Sequence, residues 1–188
     1  MTTVELVRKK MIHAFEAARE CGPYDELPVL VADRDPQLHL SRNDRPQPFH
    51  LICSRDTLLA QLAGEATLYL EYSPVRYHRL EPGDVVYVPA GTPTRLVPDG
   101  TSVNLRYKAL HAGLEGVAWF CEACGQEIHR VEFDSNASIP QEEYWRACEA
   151  FNADAELRRC GACGAEHPPA DLSGIRWLDV AEAIRASA

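Results

Sequence analysis

Gly83-Asp84-Val85-Val86-Tyr87-Val88-Pro89-Ala90-Gly91-Thr92-Pro93-Thr94 holds a run of branched and aromatic residues between two turn signals. Val85–Val88 suits a strand, because such side chains pack well on a pleated surface. Pro82-Gly83 and Ala90-Gly91 close it on either side. Outward from this stretch the pattern repeats. Pro28–Ala32, Phe49–Cys53, Leu58–Leu62, Thr67–Tyr72 and Val103–Tyr107 are candidate strands, with Gly64, Pro74 and Pro98-Asp99-Gly100 in the breaks. Short strands at this spacing predict an all-β sandwich or barrel. Asp33–Pro48, rich in Asp, Arg and Pro, reads as a loop.

The flanks have a different period. Val4, Val7, Met11, Phe15 and Ala18 recur at steps of three and four, which predicts an amphipathic helix over 3–20 that stops at Gly22-Pro23. Such a helix is expected on the barrel exterior or against a partner subunit. A helical segment near Glu142–Asn152 and a terminal helix over Ile175–Ala186 follow from similar spacing. The expected organisation is an N-terminal helix (1–23), a barrel (24–116), a second unit (117–170) and a C-terminal helix (171–188).

With 28 acidic against 19 basic side chains in 188 residues, the formal net charge is −9. That balance disfavours binding to a phosphate backbone, so no nucleic-acid partner is expected. No stretch reaches the ~20 apolar residues of a membrane span. Met1–Glu5 lacks the basic-then-apolar order of a signal peptide. The expectation is a cytoplasmic protein with no membrane partner.

Seven cysteines, an odd number, argue against a disulfide scaffold. Four of them form two pairs: Cys121-Glu122-Ala123-Cys124-Gly125 and Cys160-Gly161-Ala162-Cys163-Gly164. Two such knuckles bring four thiolates around one soft cation. The glycine after each pair can take positive φ and turn its backbone N–H toward sulfur. A thioredoxin-like redox pair is the competing reading of a single knuckle; two knuckles favour a metal. Four protein ligands leave no open position, so one structural ion, zinc or iron, is expected at Cys121, Cys124, Cys160 and Cys163. Cys21 and Cys148 read as small core residues. His129 and His167 flank a filled thiolate shell.

Gly83–Thr94 resembles the second motif of the cupin superfamily: Gly, five residues, Pro, one residue, Gly, two residues, His. Thr94 stands at the His position. Ala60-Gln61-Leu62-Ala63-Gly64-Glu65 resembles the end of the first cupin motif. Followed by Trp119-Phe120-Cys121 and by Arg159-Cys160 with His167-Pro168, the whole resembles bacterial 3-hydroxyanthranilate 3,4-dioxygenase with its rubredoxin-like four-cysteine site, over roughly residues 24–170. The resemblance implies a cupin (jelly-roll) barrel, a homodimer, and an Fe(II) held by two His and one Glu for ring opening by O₂.

Carried over residue by residue, the first His falls on Leu51, the Glu on Thr57 and the second His on Thr94. The substrate Arg falls on Pro98 and a later Glu on Arg106. His50 and Asp56 lie one position away and are the candidate catalytic residues, as acid, base or residual metal ligand. A one-residue shift in a strand reverses the face, so a bulge would be needed for both to line the barrel. His39, Cys53 or His78 would have to supply a third ligand. The bland readings are a hydrogen-bonded strand histidine for His50, a turn residue for Asp56 and a buried thiol for Cys53. Arg45, Arg95 and Arg106 are the candidate substrate-binding residues at one barrel mouth, suited to a carboxylate or phosphate, or else plain surface charges.

Three functional readings follow. The first is a diverged cupin enzyme acting on a small anionic molecule, such as an aromatic carboxylate, without the intact iron triad. The second is a non-catalytic small-molecule-binding or scaffold protein. The third is a dioxygenase with relocated iron ligands.

Overall fold

The computed structural model describes residues 4 and 6–187; Met1, Thr2, Thr3, Glu5 and Ala188, at the ends of the two terminal segments, lie outside the described residues. In chain order the described elements are α1 (Ala14–Ala17), β1 (Leu27–Pro28), β2 (Gln37–Asn43), β3 (His50–Cys53), β4 (Thr57–Ala63), β5 (Ala66–Leu70) and β6 (Tyr77–Leu80). They continue with β7 (Val85–Val88), β8 (Thr94–Pro98), β9 (Ser102–Lys108), β10 (Leu114–Phe120), β11 (Glu127–Asp134), α2 (Pro140–Ala153) and α3 (Trp177–Ala186). No described helix is long and apolar enough to cross a membrane.

The pairing is nested about the β5–β6 hairpin. β5 pairs β6, β4 pairs β7, β3 pairs β8 and β2 pairs β9, all antiparallel. A long hairpin folded over on itself in this way is a jelly roll, with alternate pairs falling in opposite sheets. One sheet runs β1-β2-β9-β4-β7 and the other β11-β10-β3-β8-β5-β6. The expected all-β jelly-roll barrel with small helices and a four-cysteine cluster is what the chain forms.

Leu51, Cys53, Leu59, Leu68, Leu80, Val88, Leu96 and Val117 meet between the sheets. That core continues onto α2, where Phe151 stacks on Trp119 at 4.1 Å and Tyr144 packs edge-on to Phe133. β10 and β11 extend the second sheet beyond the barrel, so the platform under α2 is continuous with it. The outer face of the first sheet is apolar too: Leu40, Ala60, Val103 and Leu105 are covered by Leu27, Val29, Ala18 and α3's Val180.

Three local expectations change. The N-terminal helix over 3–20 shrinks to Ala14–Ala17; ahead of it Lys9 forms a parallel bridge to Leu30, its N–H on the Val29 carbonyl at 3.1 Å. Val4, Leu6 and Ile12 pack against the sheet, whereas Val7, Met11 and Phe15, three of the five residues read as the apolar face, are exposed. A short isolated helix is marginal, and the edge beside β1 offers hydrogen bonds that an extended segment can take. The loop read over Asp33–Pro48 contains β2, a full partner of β9. β6, β8, β10 and β11 add to the candidate strands. The helices near Glu142–Asn152 and Ile175–Ala186 are present, as Pro140–Ala153 and Trp177–Ala186.

Candidate functional site

Along β9, Val103, Leu105 and Tyr107 join the outer apolar cluster, so Ser102, Asn104, Arg106 and Lys108 face the barrel interior. The register sets Gln37, His39, Ser41 and Asn43 of β2 beside them, and Gln61 of β4 beside Asn104. A polar stripe thus crosses an otherwise aliphatic interior.

Where β9 ends, the stripe becomes ionic. Lys108 Nζ lies 2.8 Å from Glu115 Oε2 and 3.9 Å from Glu26 Oε2. Arg106 Nε lies 3.5 Å from Glu26 Oε1, and its Nη1 donates to Thr57 Oγ1 at 3.4 Å. Tyr144 donates its hydroxyl to Glu26 Oε2 at 3.3 Å, and His39 Nδ1 is 3.1 Å from the Glu26 carbonyl. The Arg106, Lys108 and Glu115 side chains are at most 4% exposed.

Burial would discharge each of these groups alone; together they hold their charges. Burial pushes the Glu26 carboxyl up, but Lys108, Arg106, His39 and the Tyr144 hydroxyl bring it below the ordinary value. Burial pulls Lys108 down, yet Glu115 and Glu26 lift it above its ordinary range. Lys108 is therefore a fixed ammonium, not an amine nucleophile. Burial, reinforced by Lys108, lowers His39 to about 4, so its ring is neutral near pH 7. Burial pushes the Cys53 thiol up to about 12.

Several buried polar atoms here make no hydrogen bond within the chain: Glu115 Oε1, Arg106 Nε and Gln141 Oε1 at the ionic end, and Asn43 Nδ2, Gln61 Oε1, Ser102 Oγ and Asn104 Nδ2 along the stripe. Buried polar groups are normally satisfied, so this concentration sets the stripe apart from the aliphatic core around it. A cavity of about 220 Å³ opens at this end, with Lys108, Glu115, His39, Gln37 and Gln141 among its walls.

The positions onto which the resemblance maps an iron triad supply neither imidazole nor carboxylate. Leu51 is packed in the core, Thr57 accepts from Arg106, and Thr94 donates to the Leu51 carbonyl at 3.3 Å. The strand offset is not absorbed by a bulge in β3. His50 points to the opposite face from Leu51, edge-on to Phe120 at 4.7 Å, beside Ile52 and Ala118. Burial, then Arg95, lowers it to about 3; its 3.9 Å approach to Glu71 is therefore no ion pair at neutral pH. Asp56 is exposed before β4 and accepts the Ala90 N–H at 2.9 Å. The structure does not bring His50 and Asp56 together in the barrel.

The three arginines also separate. Arg106 is interior. Arg95, on the outward side of β8 between inward Thr94 and Leu96, donates to the Gln47 carbonyl at 2.8 Å. Arg45 holds Asp44 and both the carbonyl and hydroxyl of Ser173. Glu26, Lys108, Glu115, Gln141, His39 and Tyr144 form a grouping that sequence reasoning missed. The one available signal was the polar alternation from Ser102 to Lys108, which by itself reads as a solvent face.

The cysteine knuckles converge. Among the described residues, Cys121, Cys124, Cys160 and Cys163 are the one group of three or more metal-ligating side chains with ligand atoms mutually within 4.8 Å. Cys121 and Cys163 sulfurs are 3.5 Å apart, Cys124 and Cys160 3.6 Å. Tetrahedral Zn–S bonds of about 2.3 Å set sulfurs roughly 3.8 Å apart, so the donor set fits. The two turns repeat one another: Gly125 and Gly164 take φ of +73° and +76°, and their N–H groups donate to the Cys121 and Cys160 carbonyls at 2.8 Å. His129 lies on Trp119 and His167 edge-on to Phe151, outside that shell.

No family model matches the chain. It is 36% identical over 114 residues to a 3-hydroxyanthranilate 3,4-dioxygenase of Paraburkholderia phytofirmans, covering 57% of this chain and 63% of the relative. It is 30% identical over 127 residues to the enzyme of that name from Bacillus thuringiensis, covering 64% and 68%. The chain thus spans under two thirds of the Paraburkholderia relative. A cupin-2 domain protein from Shewanella frigidimarina superposes with a TM-score of 0.45 at 10% identity, covering 53% of this chain and 94% of that one.

Proposed function

Because this chain belongs to the 3-hydroxyanthranilate 3,4-dioxygenase family, we propose that its barrel receives a small carboxylate-bearing molecule of the anthranilate type, without the family's Fe(II) triad. One observation carries this reading: Arg106 and Lys108, two buried cations, occupy the interior where the resemblance places the iron chemistry. Arg106 lies against Thr57, one of the mapped triad positions, and a divalent cation is a poor immediate neighbour for that fixed guanidinium. A carboxylate is a good one, met by the guanidinium edge that Arg106 turns toward Thr57. The four cysteines would hold one structural zinc or iron ion. The assembly proposed is a homodimer, to be checked by analytical ultracentrifugation.

The test joins elemental analysis to calorimetry. Purified protein should carry one metal per chain and bind 3-hydroxyanthranilate equally well with and without added Fe(II). Arg106→Met should weaken binding at least tenfold. A second metal per chain, lost selectively in His50→Ala, or O₂ uptake that depends on Fe(II), would instead support relocated iron ligands.

A second reading, the non-catalytic scaffold, draws on one observation: Lys108–Glu115 joins a strand of each sheet, as an internal tie would. Absence of binding by any small carboxylate would favour it.

A further inference from the structure

The N-terminal segment lies along β1 and leaves a groove beside it. Ile12, Ala17, Cys21, Leu27 and Val29 line a hollow of about 380 Å³. On the same face Met11 stands 78% exposed, and Val7 and Phe15 are about half exposed. Apolar knobs beside an apolar hollow are unfavourable to leave in water, and a patch of this kind marks a contact surface.

The groove also has a direction. At one end Lys9 is bridged to Leu30, its N–H on the Val29 carbonyl. At the other, Cys21 Sγ lies 3.9 Å from the Leu40 carbonyl, and Leu40 pairs with Leu27. Leu27 and Leu30 are three residues apart, about 10 Å of extended chain. Lys9 therefore closes the Leu30 end. Glu20, next to Cys21, closes the Leu27 end, with Glu16 four residues before it, and all three line the groove. Arg19, between the two acids in sequence, is not among its walls. Lys9, Glu16 and Glu20 are exposed, and their charges are unpaired among the described residues. A face with a cation at one end, carboxylates at the other and a knob beside a hollow is complementary to its own twofold copy.

Resting on the homodimer proposed above, we infer that a second copy of this chain docks on this groove through its own N-terminal segment, the two segments antiparallel about a twofold axis. Each copy's Met11 enters the hollow of the other, and Lys9 faces the partner's Glu16 and the partner's Glu20. The apolar centre supplies the affinity, and the charges at the rim fix the antiparallel order.

Sedimentation of the full chain reads the association directly. The unaltered chain should be a dimer. Met11→Asp should raise its dissociation constant at least tenfold, and so should Lys9→Glu, because like charges then meet across the axis. Adding Glu16→Lys and Glu20→Lys to Lys9→Glu should restore the dimer, since the exchanged charges attract again. All four positions are exposed, so the circular dichroism of each variant should match that of the unaltered chain. A dimer that survives Met11→Asp overturns this contact while the homodimer itself stands, joined by another face such as the exposed Val85 and Tyr87 of β7. A charge exchange that fails to recover the dimer also overturns it, because the charges then do not face one another. An unaltered chain that sediments as a monomer overturns both this contact and the homodimer, and leaves the groove to a different protein or an apolar molecule.

Discussion

Lys108 Nζ sits 2.8 Å from Glu115 Oε2, and this contact joins β9 in one sheet to β10 in the other. With both side chains at most 4% exposed, the pair lies where single charges are strongly disfavoured. Its partners therefore depend on each other more than on the rest of the core.

Lys108→Met should destabilise the protein by about 3–5 kcal/mol, because it leaves Glu115 buried and unpaired. The double variant Lys108→Met/Glu115→Leu should recover most of that loss, since apolar replacement of both partners is often neutral. Urea denaturation of the two singles and the double gives the coupling; a double variant no more stable than Lys108→Met removes the pair from the stability account.

Acid should weaken the fold from about pH 6.5 downward. Burial lowers His39 to about 4 and His50 to about 3, against ~6.5 in the unfolded chain. Above pH 6.5 both states hold these rings neutral, and stability is flat. Between 6.5 and 4 the unfolded chain takes up protons that the native state refuses. Each histidine then removes about 1.4 kcal/mol per pH unit. Glu26, ionised in the fold below its ordinary value, adds a further loss at lower pH. Denaturation midpoints at pH 7, 6 and 5 should show the slope, and His39→Gln should reduce it; an unaltered slope in that variant would place the proton uptake elsewhere.

Cys160→Ser, or a strong chelator, should bring metal content from one ion per chain to none and unfold at least the segment around both knuckles. His50→Ala should keep the ion. Elemental analysis and circular dichroism read both outcomes, and a folded, metal-free Cys160→Ser protein would mean that the lobe stands on packing alone.

Phe151→Ala should cost about 3–5 kcal/mol. The ring is fully buried and stacked on Trp119 within 10° of parallel, directly before the first knuckle. Metal content should survive if the sulfurs hold the lobe independently. A stability change under 1 kcal/mol would show that α2 repacks freely on the sheet.

Legibility in the sequence followed the range over which each feature is decided. The knuckles could be read because five residues, ending in a glycine with positive φ, contain the whole turn. The strand Val85–Val88 could be read because turn residues bracket it. β2 could not, because Gln37–Asn43 sits between charged and proline-rich flanks and owes its strand to seven paired residues of β9. The N-terminal apolar spacing misjudged the buried face: Val7, Met11 and Phe15 are exposed while Val4, Leu6 and Ile12 pack on the sheet, because the chain ahead of Ala14 is not helical and a period of three to four does not apply there.

The sequence by itself determined the alternation of β9 and the metal-ligand spacing, since both are set by local backbone geometry. Only the tertiary structure decided that Ser102, Asn104, Arg106 and Lys108 look inward. A period of two names two faces without saying which is wet, and here α3 and the N-terminal segment cover the apolar one. The same packing brings Glu26 and Glu115, far apart along the chain, onto the two cations, a meeting that no local pattern encodes.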